Sequence, residues 1–180
     1  MKRITLAIAT LLVAASVWAQ CGHERWPIKV GTDPEASSID IANPIDTTIG
    51  ELRALVPPAD IRHFNGRAPA ELQVYTLLIT MTLFKSEGDS DLHLVIRDRG
   101  ETMIAESVDP KCAVGSPWLD DMKAVRQAFR DRFGGAKAKR NLHVRVRITG
   151  PAFFDFIHGQ TGHAANGIEI HPILGIEFLN

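Results

Sequence analysis

The chain has 180 residues, with 20 basic and 21 acidic side chains and a hydrophobic fraction of 45%. This composition is typical of a folded globular protein and excludes a disordered chain. The near-neutral charge also excludes a generic binder of nucleic acid or membrane surfaces that works by charge alone. The length allows one domain, alone or with an additional arm.

Residues 1–19 have the pattern of a secretory signal peptide. Lys2 and Arg3 precede an apolar run over 4–17, and the small residue Ala19 fits a cleavage site. A membrane anchor is the weaker alternative, because the run has about 14 residues and a spanning helix needs about 20. Lipidation of Cys21 is also weaker, because Gln20 stands where a small residue is required. The sequence therefore predicts an exported protein, periplasmic or secreted, whose mature chain has no transmembrane segment. Removal of Lys2 and Arg3 with the signal peptide changes the net charge from −1 to −3.

Two cysteines, Cys21 and Cys112, remain after this cleavage. Two thiols in an oxidising compartment predict one disulfide. It would close a loop of about 90 residues and stabilise the fold by about 4–5 kcal/mol in the chain-entropy model. A catalytic thiol is less favoured, because no helix start places a positive dipole end behind Cys112.

The first elements of the mature chain form an N-terminal arm over 20–69. Its first part, 20–47, is rich in Pro, Asp, Ser and Thr and is predicted to be extended. A capping box between Thr48 and Glu51 predicts a short helix that ends near Leu55, before two prolines.

Three strands are predicted next, at 72–85, 91–97 and 101–107. The second strand alternates strictly, so one set of side chains faces the core and the other faces outward. The inward set is Leu92, Leu94 and Ile96, and the outward set is Asp91, His93, Val95 and Arg97.

A helix over 117–133 follows, with Ser116 as its cap and Pro117 at its first position. Four apolar residues at helical spacing predict its buried stripe: Trp118, Met122, Val125 and Phe129. Another alternating strand covers 142–149, with Val144, Val146 and Ile148 inward. It bends at Gly150, and a final strand covers 168–179.

Five strands with a helix between the third and the fourth are typical of the OB-fold, a small Greek-key barrel. We therefore predict a mainly β protein with one five-stranded OB-like barrel over 70–180. Ligands of this fold usually contact the loops that join strands 1 and 2 and strands 4 and 5. These loops correspond here to 86–90 and 157–167.

The loop 157–167 and the strand after it hold the densest group of chemically versatile residues. We predict a ligand-binding site formed by Asp91, His93, His158, His163, Asn166, Glu169 and His171. The protein is expected to be monomeric. A binding module for an unknown ligand is the leading interpretation. The alternative is a metal-assisted hydrolase, such as a phosphodiesterase, that holds a divalent metal such as zinc with His158, His163, Glu169 and His171.

Two further interpretations concern a purely structural role of the loop and a nucleic-acid partner. Histidine and asparagine in a Gly-rich loop often bond only to the loop's own backbone, so a purely structural role stays open. A basic stretch over 130–147 could contact phosphates, but the acidic loop 86–90 lies where an OB-fold would hold nucleic acid. Nucleic acid is therefore not the favoured partner.

Four segments resemble a group of small uncharacterised bacterial proteins that are often exported. They are ERWPIK at 24–29, DSDLHLVI at 89–96, TMIAE at 102–106, and HGQ through NGIEIHP at 158–172. The resemblance covers most of the mature chain and implies a compact β-rich domain, with no established activity to carry over. An aromatic residue is common in that group where Leu92 stands here. Similarity to staphylococcal-type nucleases extends only to export and an OB-like fold, because their Asp, Arg and Glu constellation has no match here.

Overall fold

A computed structural model of the protein describes residues 21–179, so the predicted signal peptide at 1–19 lies outside the described residues. The helices are α1 (Trp26–Val30), α2 (Ile49–Arg53) and α3 (Leu119–Phe133). The strands are β1 (Ile45–Asp46), β2 (Val74–Ser86), β3 (Leu92–Asp98), β4 (Glu101–Ser107), β5 (Ala138–Lys139), β6 (Val144–Phe154), β7 (Ile168–Ile170) and β8 (Gly175–Phe178).

Five of these strands form a closed barrel in the order β2-β3-β4-β7-β6, and β6 pairs back onto β2. The neighbours are antiparallel, except for β4 and β7, which run parallel. The helix α3 lies between β4 and β6 in the chain. Because this order and this helix position are those of a Greek-key OB barrel, the predicted fold class is confirmed.

The inward sets of the alternating strands fill the barrel. Leu94, Ile96 and Ile148 are completely buried, while Val144, predicted to be in the core, is only partly buried. The predicted stripe of α3 is confirmed, since Trp118, Met122, Val125 and Phe129 are all buried. Burial of such large apolar side chains contributes about 1.5–3 kcal/mol each and is the main force that holds α3 on the barrel.

Three local predictions need correction. The segment 20–47 is not extended, because it contains α1 and a 3-10 turn at Ala36–Ser38. The helix α3 begins at Leu119 rather than at residue 117, because the Ser116 hydroxyl accepts from the Trp118 amide in a turn that precedes the helix. The final strand is interrupted at Pro172, which has no amide hydrogen for the ladder, so 168–179 forms β7 and β8 instead.

The N-terminal segment packs against the barrel. The predicted disulfide between Cys21 and Cys112 is present. Arg25 adds a second anchor, since its guanidinium donates to both carboxylate oxygens of the completely buried Glu71, each at 2.7 Å. Within 21–179, the structure contains no helix long and apolar enough to span a membrane.

Candidate functional site

Three polar side chains form a row across the outer face of the barrel. His93 on β3 lies directly opposite Glu106 on β4. The parallel register of β4 and β7, which pairs Ala105 with Ile170, places His171 beside Glu106 on the other flank. Because side chains alternate across a strand, this row faces away from the barrel core. The row brings two imidazoles to the two oxygens of one carboxylate.

The imidazole of His93 is held at both nitrogens. Its Nε2 lies 2.9 Å from the carbonyl oxygen of Thr161, which can only accept, so Nε2 carries a hydrogen. Its Nδ1 lies 2.9 Å from Oε1 of Glu106. Burial lowers the pKa of His93, but the carboxylate of Glu106 and the carbonyl of Thr161 outweigh burial and raise it above its ordinary value. The partners of His93 therefore favour its protonated form.

The helix α1 covers the His171 end of this row and the loop after β6 covers the His93 end, which explains why side chains on the outer face of a barrel are buried. The carbonyl of Lys29 lies 3.0 Å from Nδ1 of His171. The ammonium of Lys29 lies 3.3 Å from Asp155 and 5.2 Å from the centre of the Phe153 ring. Burial lowers the pKa of Lys29, but the charges of Glu169, Asp155 and Glu106 raise it above its ordinary value. Lys29 is therefore a fixed positive charge under a set of carboxylates.

Two acidic side chains near the row hold their protons unusually tightly. Burial and the charges of Asp155 and Glu106 raise the pKa of Glu169 well above its ordinary value. Burial and the charge of Asp89 raise the pKa of Asp91 to about 8. Burial also raises the pKa of Glu106, but His171 and His93 together hold it well below its usual range. Glu106 is therefore the charged carboxylate of the group, while Glu169 and Asp91 are disposed to be neutral.

A cleft of about 390 Å³ opens above this buried group. The N-terminal segment forms one wall, the loop after β2 forms the second, and the loop after β6 forms the third, with Lys29 and Glu106 at the bottom. Its lining residues are Gly22, His23, Glu24, Trp26, Lys29, Glu87, Asp89, Glu106, Asp155, Phe156, His158 and Gln160. Both loops predicted to contact a ligand thus border the same cleft.

The residues predicted to form the site occupy three different environments. His158 lines the cleft. Beneath the cleft, Asp91, His93, Glu169 and His171 are each at most 2% exposed. The ring of His163 bonds to the Gln160 carbonyl, and the side chain of Asn166 donates to the carbonyls of Leu52 and Leu55. Contact of these seven residues with a ligand stays a prediction. His163 and Asn166 also bond to the protein's own backbone.

Two groups of side chains in the described part of the chain bring at least three potential metal ligands together. One is Glu87, His93 and Glu106, and the other is Asp91, Glu106 and His171, in each case with ligand atoms within 4.8 Å of one another. Neither group contains His158, His163 or Glu169. Within residues 21–179, the ligand atoms of the predicted quartet of His158, His163, Glu169 and His171 therefore do not form one such group. The rings of His158 and His163 instead contact nearby backbone carbonyls, those of Phe156 and Gln160.

Sequence reasoning missed Glu106 and Lys29. Glu106 belongs to both groups of potential ligands. The signal for Glu106 was available, since Met103 and Ala105 face the core and the alternate position faces His93. Lys29 carried no signal, because a segment interpreted as an extended arm gave no reason to place its side chain against the barrel.

The neutral state that burial imposes on Glu169 leads to a prediction about pH. Because the folded pKa is raised, the folded state binds more protons than the unfolded state above about pH 4.5, so stability falls as pH rises. We expect Glu169→Gln, which mimics the protonated acid, to gain melting temperature relative to the native protein at pH 8 and much less at pH 5. Thermal melts in the presence of EDTA measure this difference. Parallel melting curves for the two proteins across pH 5–8 would show that Glu169 is not held neutral in the fold.

Comparisons with known proteins identify no family for the chain. No family model and no curated protein matches it. Among solved structures, a proposed aspartyl-tRNA synthetase from Leishmania major Friedlin matches with a TM-score of 0.40 and 11% sequence identity. The match spans 58% of this chain and 17% of the synthetase chain.

Proposed function

We propose that the protein is a binding module that takes a small organic cation into the cleft above His93 and Glu106. The observation that carries this proposal is the charge of the cleft. Five carboxylates line it and one ammonium, that of Lys29, stands among them. Lys29 is already paired with Asp155 at 3.3 Å. An amine or guanidinium ligand would complement the remaining carboxylates.

The walls of the cleft suit an organic cation better than a hydrated inorganic one. The indole of Trp26 lines the cleft beside the exposed side chain of Glu24. An aromatic face attracts a cation, by about 0.5–1 kcal/mol at an exposed position and by more when the cation is desolvated. On the opposite wall, Glu87 is one-third exposed and shares its charge with Lys85 at 2.7 Å. The two glutamates are therefore placed to contact the same ligand from two sides.

The same charge disfavours a polyanion such as nucleic acid. Three of the five acidic residues of the cleft, Glu87, Asp89 and Asp155, follow directly after β2 and β6, in the loops that bind oligonucleotides in OB-folds. The basic residues Arg145 and Arg147 lie instead on β6, where the chain exposes them to solvent. The hydrolase alternative is not proposed, because its four predicted residues are not brought together.

Titration calorimetry with spermidine at low salt tests this proposal. We expect the native protein to bind spermidine, and the double variant Glu24→Gln/Glu87→Gln to bind about 3–10-fold more weakly, as two partly exposed charge pairs contribute. Glu177→Gln serves as the matched control with unchanged binding, because Glu177 on β8 belongs to an exposed ion pair with Arg147 on β6. Equal affinity of the double variant, or tighter binding of an oligothymidylate than of spermidine, would refute the proposal.

We also propose that this module works outside the cytoplasm. Its support is the signal-peptide pattern at 1–19 together with the Cys21–Cys112 disulfide, which persists in oxidising compartments. Cleavage after Ala19 leaves a chain that starts at Gln20. N-terminal sequencing of the protein from a periplasmic fraction tests this, and an intact Met1 would contradict it.

A further inference from the structure

Three buried side chains beneath the cleft converge on one point. Nε2 of His171 lies 3.2 Å from Oε2 of Glu106 and 3.9 Å from Oδ2 of Asp91. Asp91 and His171 are each 1% exposed. Among residues 21–179, Oδ2 of Asp91 has no hydrogen-bond partner, and Nε2 of His171 makes no well-aligned hydrogen bond although Oε2 of Glu106 lies within reach. Buried polar atoms without partners are uncommon and costly, so this arrangement requires an explanation.

The second nitrogen of His171 determines which atoms face the convergence point. Nδ1 lies 3.0 Å from the carbonyl oxygen of Lys29, which can only accept, so Nδ1 carries the hydrogen. In the neutral ring, Nε2 therefore presents a lone pair to the carboxyl groups of Glu106 and Asp91. Asp91, which burial favours in its protonated form, would release its proton when a metal ion binds. A histidine that donates its other N–H to a backbone carbonyl is the common arrangement of metal-ligating histidines.

We propose that Asp91, Glu106 and His171 bind one divalent transition-metal ion, with Oδ2, Oε2 and Nε2 as ligand atoms. One imidazole and two carboxylates are a ligand set that zinc accepts in proteins, at about 2.0–2.2 Å from each atom. Tetrahedral geometry at these lengths separates the ligand atoms by roughly 3.3 Å. The observed separations of 3.2 and 3.9 Å lie near this value, so only small movements of the side chains would close the site.

The competing group, Glu87, His93 and Glu106, offers no free imidazole nitrogen to a metal ion. Nδ1 of His93 already lies 2.9 Å from Oε1 of Glu106, and Nε2 is bonded to Thr161. Both nitrogens of His93 thus have partners. Glu106 would use one oxygen to position His93 and the other to hold the metal. This inference does not depend on the proposed cation ligand, because the metal would lie below the cleft floor.

Zinc binding by chelator-treated protein tests the inference, with stoichiometry measured by elemental analysis after dialysis. We expect about one zinc per native chain, and a loss of more than about 100-fold in affinity for His171→Asn, since even outer partners of a metal site contribute 10–100-fold. Asp91→Asn is the second variant. Oδ1 can still accept from the amide of Asp109, and the new amide group can donate to His171, so this variant should fold without zinc.

The matched controls are Glu87→Gln and His93→Asn, which remove members of the competing group. We expect Glu87→Gln to retain zinc unchanged, and His93→Asn, which removes an outer partner of Glu106, to weaken zinc binding by no more than about 10–100-fold. Zinc should raise the melting temperature of the native protein and of these controls, but not that of Asp91→Asn. If the native protein retains no zinc and its melting temperature does not respond to zinc, the inference is overturned. The contact between His171 and Glu106 would then be that of a protonated imidazole with a carboxylate. Loss of zinc in His93→Asn with retention in Asp91→Asn would overturn the inference as well. Because the assay contains no spermidine, failure here leaves the cation-binding proposal to its own test.

Discussion

Removing the Cys21–Cys112 disulfide is expected to lower the free energy of unfolding by about 4–5 kcal/mol in the chain-entropy model. The two cysteines are 91 residues apart in the chain, so the crosslink removes a large loop-closure entropy from the unfolded state. Cys21 directly precedes the segment that forms one wall of the cleft. We therefore expect Cys21→Ser/Cys112→Ser to weaken spermidine binding as well as stability.

Urea unfolding of the native and double-serine proteins, each with and without a thiol reductant, measures this effect. The reductant should shift the native transition toward that of the variant and leave the variant unchanged, which separates the disulfide from any effect of the substituted side chains. A variant with native stability would show that non-covalent contacts alone hold the N-terminal segment.

The second large effect is expected at Glu71, which anchors the same segment from inside. The side chain is completely buried, and its oxygens accept from Arg25 and from the backbone amides of Ala68 and Phe154. Removing one partner of a buried ion pair leaves the other charge uncompensated and typically costs about 3–5 kcal/mol. We expect Glu71→Ala to lose stability in this range, with the change measured by urea unfolding.

Glu177→Ala is the control, because Glu177 pairs with Arg147 on an exposed surface. Such surface pairs contribute about 0–1 kcal/mol, so the control should change little. If both variants lost the same small amount, the network around Arg25 and Glu71 would not stabilise the fold, and the position of the N-terminal wall would need another explanation.

The barrel could be predicted from sequence because its signals are local. Alternation in β3 distinguished Leu92, Leu94 and Ile96 from their neighbours, and the stripe of α3 identified its buried face. The burial of Asp91 and His93 could not be predicted in the same way. A strand pattern shows which side chains leave the core, but it does not show whether a distant segment covers them.

The partner of His93 was within reach of the sequence. The turn at Arg99–Gly100 leaves Asp98 opposite Glu101, and counting back along both strands places His93 opposite Glu106. A two-residue hairpin loop fixes register in this way. The approach of Lys29 depends instead on a tertiary contact between α1 and the barrel, held by Arg25 and the disulfide, which no local pattern encodes.

The most direct test of the cleft as the working site is an NMR titration of isotope-labelled protein with spermidine. We expect the backbone amide signals of residues 22–26, 87–89 and 155–160 to shift together and to saturate with a single affinity, because these three segments line one cleft. The strand β8 (Gly175–Phe178), none of whose residues lines the cleft, should keep its signals unchanged. Shifts confined to β8 and the basic face of β6, or an unchanged spectrum at saturating spermidine, would contradict the account.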